Sequence, residues 1–202
     1  MEIIDSPAAS GLFLVRDFLD PRECAAVRDE ARAAAGHPAP VYIEGAEGVV
    51  HRDVRKTTSL EVSAATVADV GRRLRELREG VGRHFGLSLR DCEPPQFLRY
   101  GEGDFFVRHQ DGDTDQLEFD HLRVRRVSVV VFLNGGSDVP AAGSFGGGEL
   151  LIYRARGEGH AGPVVFPVKG AAGLLVAFRS DTVHEVAPVT RGERFTVVSW
   201  FN

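Results

Sequence analysis

The sequence predicts a mainly β protein with supporting helices, its strands arranged as a barrel or a double-sheet jelly roll. Three observations predict this. Eight short β-rich runs crowd residues 93–202, separated by clusters of Gly, Asp and Asn. Fifteen of the chain's 23 glycines fall in that same half, as tight turns between strands require. The segments with helical periodicity both fall within residues 1–92.

Residues 11–15 read as a short buried strand. Asp20 then suits a helix cap, Pro21 the first helical position, and Glu23 completes a capping box. Cys24, Val27, Ala31 and Ala34 recur at helical spacing to about Ala35, where Gly36, His37 and Pro38 end the helix. His37 is read as a surface residue. Residues 41–43 and 49–50 read as strands around a turn, and the run from Arg55 to Leu60 as another extended piece. A second helix is expected from about Ser63, with Val67, Val70, Leu74, Leu77, Val81 and Phe85 on one stripe and Gly86 as its stop.

The eight later runs are 96–100, 105–109, 125–133, 148–153, 164–167, 174–178, 185–189 and 195–201. The run from Val127 to Leu133 is apolar almost throughout, so burial on both faces is expected. Gly146, Gly147 and Gly148 leave two readings open: a turn entering a strand, or backbone passing close to a ligand. Residues 137–144 and 154–163 are expected to be loops near the barrel rim. One domain spanning 1–202 is expected, with 1–92 supporting a core at 93–202.

Composition narrows the function. Hydrophobic residues make up 43% of the 202, enough for a core. A net charge of −5 offers no basic groove for nucleic acid and no patch for an anionic membrane. Cys24 and Cys92 make neither a disulfide framework nor a zinc motif, and are expected to be buried thiols in a reducing compartment. The N-terminus shows no signal peptide and no run long enough for a membrane span, so a cytoplasmic protein is expected.

The chemistry centres on His109 and Asp111. Side chains two positions apart share one face of a strand, so an imidazole and a carboxylate there can grip a metal ion from one side. His184 is the third candidate ligand, at the start of an apolar strand far along the chain. Two His and one carboxylate on one face of an octahedron leave the opposite face open, as non-haem Fe(II) oxygenases require. Ten residues beyond His184, Arg194 opens another apolar strand. A buried cation needs an anionic partner, and a guanidinium suits a carboxylate, whether in a structural salt bridge or in a bound acid.

The ordered set Tyr100-Gly-x-Gly-x-Phe-Phe-x-x-His109-x-Asp111, Val127–Asn134, Gly147-Gly148-Glu149-Leu150 and His184-Glu-Val-x-Pro-Val-x-x-Gly-x-Arg194 resembles the iron(II)- and 2-oxoglutarate-dependent dioxygenases. Within them the likeness is to the prolyl-4-hydroxylase-like branch. It covers residues 93–202 clearly and the front of the chain more weakly. The resemblance implies a double-stranded β-helix, with Fe(II) on His109, Asp111 and His184, and with O2 and 2-oxoglutarate as co-substrates. It further implies that Arg194 pairs with the distal carboxylate of 2-oxoglutarate, that Tyr100 donates to it, and that Trp200 lines its pocket. Ascorbate is an auxiliary reductant that the resemblance admits. Two departures touch the substrate class: Phe132 stands where some protein-hydroxylating relatives carry tyrosine, and Arg194 where many collagen-type members carry lysine.

The expected reaction is hydroxylation of an unactivated C–H of a prolyl residue, an amino acid or a small molecule, giving succinate and CO2. The rival is a non-catalytic jelly-roll sensor that binds metal or 2-oxoglutarate. Asp111 argues against a halogenase, and the histidine spacing against a cupin isomerase. Asp113, Asp115, Glu118, Asp120 and His121 are read as a solvated loop, the alternative being a lid that greets a cationic substrate.

Overall fold

The computed structural model describes residues 1–4, 11–43, 46–113, 120–154 and 163–202. Seven strands and two helices make up the front: β1 (Glu2–Ile4), β2 (Phe13–Arg16), α1 (Pro21–Ala33), β3 (Gly36–Pro38), β4 (Val41–Ile43), β5 (Ala46–Val49), β6 (Arg55–Lys56), β7 (Thr58–Leu60) and α2 (Ala64–Phe85). Next come β8 (Gln96–Tyr100), β9 (Phe105–His109), the short α3 (Asp120–Arg123) and β10 (Val127–Phe132). The chain closes with β11 (Gly146–Gly147), β12 (Leu150–Arg154), β13 (Val164–Val168), β14 (Leu175–Arg179), β15 (His184–Val186), β16 (Val189–Arg191) and β17 (Arg194–Phe201).

Both long helices start and stop on local chemistry. The Asp20 carboxylate accepts from the Arg22 and Glu23 amides, and the Glu23 side chain returns a bond to the Asp20 amide. Ser63 caps α2 through the Thr66 amide, and Gly86 ends it at φ 66°, a left-handed conformation that glycine adopts without strain. The α2 stripe turns Val70, Leu74, Leu77 and Val81 inward.

A large antiparallel sheet runs in the order β1-β2-β14-β10-β17-β8-β7-β3, and a smaller one in the order β13-β12-β15-β9-β6. Two-stranded ribbons, β4-β5 and β11-β16, complete the strand set. This is the jelly-roll architecture the sequence predicts. The large sheet has an apolar layer on each face. On one face Val127, Val129, Val131, Phe195, Val197 and Phe97 pack with the two helices. On the other, Val130, Phe132, Val176 and Phe178 meet Leu150, Ile152 and Val168 of the smaller sheet. That is why β10 is apolar but for Ser128: alternate residues feed two cores, and every one is buried.

The structure corrects some boundaries. The run at 185–189 is two strands in different sheets, β15 and β16, separated by Ala187 and Pro188; proline has no N–H for a ladder. Gly36–Pro38 does more than end a helix. It pairs with β7 through its backbone, and an added Cβ at Gly36 would meet Thr58 Cγ2 at 2.6 Å. The 137–144 loop is fastened at its start, where the Gly136 amide just before it donates to the Gly170 carbonyl and the Ser137 amide to the Phe145 carbonyl. Residues 155–162 of the second expected loop lie outside the described residues. Both cysteines are buried and free. Among the described residues no helix is long and apolar enough to cross a membrane.

Candidate metal centre

Strand alternation decides which residues of the large sheet reach the interior between the sheets. On β17, Arg194, Thr196, Val198 and Trp200 line one cavity of about 290 Å³, while Phe195, Val197 and Phe201 point to the helices. On β8, Gln96, Leu98 and Tyr100 line the same cavity and Phe97 turns away. Arg194 and Tyr100 are direct cross-strand partners. The smaller sheet supplies the opposite wall, with His109 at the end of β9 and His184 at the start of β15.

The two histidines are cross-strand partners in register, with ring centroids 4.1 Å apart. Asp111 sits beyond the end of β9, so strand alternation is not what places it. The Asp111 and Gly112 amides both donate to the Ser180 carbonyl, at 2.9 and 3.1 Å, and the Gln110 side-chain amide donates to the Asp181 carbonyl. These bonds fasten the His-x-Asp segment to the turn before β15. Gly112 is required there, because a Cβ would lie 2.5 Å from both Leu122 O and Arg125 Cβ.

One nitrogen of each imidazole is committed to the backbone. His109 Nδ1 lies 2.8 Å from the Val107 carbonyl and His184 Nδ1 lies 2.9 Å from the Thr182 carbonyl. A carbonyl only accepts, so each Nδ1 carries the proton and each Nε2 offers a lone pair. Both lone pairs face Asp111: His109 Nε2 is 3.4 Å from Oδ1 and His184 Nε2 is 3.5 Å from Oδ2. One ligand atom from each of the three residues lies within 4.8 Å of the others.

Protonation favours metal binding. Burial first, then neighbouring His109, pushes the His184 imidazole down to about 4, which leaves it neutral and able to ligate at pH 7. Burial pushes the Asp111 carboxyl up, but the facing imidazoles more than offset that and hold it well below the usual carboxylate range. A carboxylate faced by the Nε2 atoms of two imidazoles is a donor set that suits Fe(II), so the residues fit the metal.

Arg194 is 1% exposed. Its guanidinium lies 4.9 Å from the Tyr100 ring centroid and 4.9 Å from that of Phe132, and Nη1 donates to Thr196 Oγ1 at 3.3 Å. Nε has no hydrogen-bond partner, and among the described residues no carboxylate lies within ion-pair distance of the guanidinium, Glu149 acting on its charge from farther off. The salt-bridge reading therefore fails. Burial lowers its pKa to about 10, so the group stays charged at pH 7. A buried, unpaired guanidinium on a cavity wall fits a carboxylate-bearing co-substrate.

The glycine run at 146–148 makes room for the protein itself. A Cβ on Gly147 would meet the Pro188 carbonyl and one on Gly148 would lie 3.1 Å from Arg194 Cδ. Both have positive φ, 64° and 63°, so the run is a turn that also keeps space for the Arg194 stem. Three further residues line the cavity, of which Arg55 and Arg125 had no signal as site residues, while Phe106 is the second phenylalanine of the Tyr100–His109 motif. Phe106 stacks on His109 with centroids 3.6 Å apart. Arg125 lies over the Trp200 ring at 3.6 Å and is bonded to Glu93 through both Nε and Nη2, at 2.6 and 2.7 Å. Arg55 borders the same cavity. Of the acidic segment, Asp113 is engaged by Arg179 at 3.0 Å and Arg126 at 3.3 Å, so it is not free to greet a cation. Asp120 opens α3, while Asp115 and Glu118 lie outside the described residues.

Comparison with known proteins converges on one family. The model of the 2OG-Fe(II) oxygenase superfamily matches residues 95–202. A PKHD-type hydroxylase of Paracoccus denitrificans is 35% identical over 108 residues, 53% of this chain and 42% of that protein. The chain thus spans less than half the length of that relative. A PKHD-type hydroxylase of Methylobacterium nodulans is 31% identical over 193 residues, 92% of this chain and 75% of that protein. Among solved structures, a Pseudomonas putida prolyl-4-hydroxylase superposes with a TM-score of 0.71 at 26% identity, covering 96% of this chain and 94% of the other.

Proposed function

We propose, from the premise that the chain belongs to the 2OG-Fe(II) oxygenase superfamily, that it is a 2-oxoglutarate-dependent hydroxylase acting on an unactivated C–H bond. The substrate class that this reading favours is a prolyl residue, an amino acid or a small molecule. The observation that carries the reading is one cavity that joins the His109, Asp111 and His184 donors to the unpaired Arg194 guanidinium. The sensor reading has no observation of its own. We treat residues 1–202 as one catalytic domain, because the large sheet takes strands from both halves of the chain.

When bound, Fe(II) with 2-oxoglutarate and O2 supplies an oxidant for C–H bonds and leaves succinate and CO2. The chain's own residues do the rest. His109, Asp111 and His184 hold the metal from one side, with each Nδ1–H tied to a carbonyl so that the rings cannot turn. Arg194 anchors the distal carboxylate of the co-substrate. Its charge acts strongly because few polar groups surround it to screen it. Tyr100 would donate to the same acid, a role supported by its burial and its pairing in register with Arg194. Trp200 closes the wall beside Asp111 and excludes water from the reacting atoms.

The test is uncoupled turnover. Purified protein supplied with Fe(II) and 2-oxoglutarate should release succinate slowly without any added substrate, and omission of either should stop it. A protein that neither turns over nor binds 2-oxoglutarate would overturn the proposal.

A further inference from the structure

The charged groups that line the catalytic cavity are unbalanced. Asp111 is its sole carboxylate among the described residues, while Arg55, Arg108, Arg125 and Arg194 are all cations. Two of the four are already answered. Arg125 is neutralised by Glu93, and Arg108 lies 3.3 Å from Glu185. Arg194 belongs to the co-substrate in the reading above. Arg55 is left over. Its Nη1 donates to the Pro40 carbonyl at 3.0 Å, its Nε is buried without a partner, and no carboxylate pairs with it among the described residues. Its guanidinium lies 4.8 Å from the Phe106 ring centroid, and that ring is stacked on His109. A single phenyl ring therefore separates this cation from a metal-facing imidazole.

Arg55 also borders a second hollow, of about 240 Å³, which continues the positive charge away from the cavity. Arg52, Lys56 and Arg99 line that hollow, and Asp104 is its only acid among the described residues. Lys56 is paired with Asp104 at 3.0 Å and Arg99 reaches Glu193 at 3.6 Å, whereas Arg52 is exposed and has no ion pair among the described residues. An unpaired guanidinium beside the metal donors, opening onto a cationic hollow, suits a ligand with a negative end.

We infer that the substrate carries a carboxylate and that Arg55 docks it beside the metal centre, with Arg52 extending the attraction outward. This rests on the hydroxylase reading for the word substrate, but the anion preference is measurable by itself. Trp200 is the chain's single tryptophan and lines the cavity, so its fluorescence reports occupancy without iron or turnover.

The experiment titrates the full chain with a capped glutamate-rich hexapeptide, with its glutamine twin, and with its lysine twin. A fourth arm titrates free glutarate into Arg194→Ala protein, where the co-substrate anchor is gone. The glutamate peptide or glutarate should bind at least tenfold tighter than the glutamine peptide, and the lysine peptide weakest. Tight glutarate with a weak glutamate peptide would identify a free acid, and the reverse an acidic chain. Arg55→Gln should erase most of the preference, Arg55→Lys should restore part of it, and Arg52→Gln should weaken it by a smaller factor that salt abolishes. Equal binding of the glutamate and glutamine peptides together with no glutarate binding, or a preference untouched by Arg55→Gln, would overturn the inference. Failure of 2-oxoglutarate to bind would instead sink the hydroxylase reading, and the acid preference would still have been decided.

Discussion

Strand β17 has two faces that do opposite work. Its helix side carries Phe195, Val197 and Phe201, all at most 1% exposed and packed among other apolar groups. Its cavity side carries Arg194 and Thr196, as deeply set, and Trp200, 8% exposed beside Asp111, and it leaves Arg194 Nε without a hydrogen-bond partner. The first face gains stability from every buried methylene. The second gives up stability, because a buried cation or N–H without a partner costs free energy. One strand thus separates folding from chemistry by nothing more than odd and even positions.

The sharpest way to break this contrast is at the metal donors. Asp111→Ala should reduce 2-oxoglutarate-dependent succinate release to background while leaving the thermal transition cooperative. A rate above a tenth of the native one would remove Asp111 from the metal site. On the helix side the effect should appear in stability alone. Leu74→Ala in α2 should cost about 2–5 kcal/mol in urea unfolding, with 2-oxoglutarate affinity unchanged in isothermal titration. Arg194→Met should do the reverse. It should weaken 2-oxoglutarate binding by about 1.5–3 kcal/mol, the worth of charge-assisted hydrogen bonds, while the midpoint of unfolding stays level or rises, since an unpaired buried cation has gone.

The smallest effect expected is from the thiols, which belong to the helix side. Burial pushes both Cys24 and Cys92 up to about 11. An exposed thiol ionises near 9, so above that pH the unfolded chain loses protons that the native chain keeps. Stability should therefore be full below pH 9 and decline as pH rises toward 11. A thiol reagent at pH 8 should find both groups slow to react until the protein unfolds. Fast labelling of either would place it outside the core.

Much of this was legible in the sequence where local chemistry sets the outcome. The Asp20 and Ser63 caps, the Gly86 stop and the α2 stripe are all self-contained signals. So are β8 and β9, whose flanking Pro95, Gly101 and Gly103 bound them to the residue. The double burial of β10 could be read from a run that is apolar but for Ser128. What escaped was whatever depends on a partner distant in sequence. Gly36–Pro38 has no apolar pattern, and only β7 makes it a strand. The position of Asp111 comes from Ser180, not from the strand before it. The structural salt bridge that the sequence left open for Arg194 could be dismissed only in the fold, because no nearby spacing says which carboxylate a guanidinium meets. Arg55 and Arg125 were silent for the same reason.

The pairing of His109 with His184 across β9 and β15 has a consequence for how the chain can change length. The donors meet because two strands lie side by side, so the seventy-odd residues between them are free to grow or shrink in their loops. An insertion of one residue inside either strand is another matter. The ladder beside this pair already carries one irregular step, three residues of β9 against two of β15, and a further residue not absorbed in that way would turn one imidazole to the outer surface.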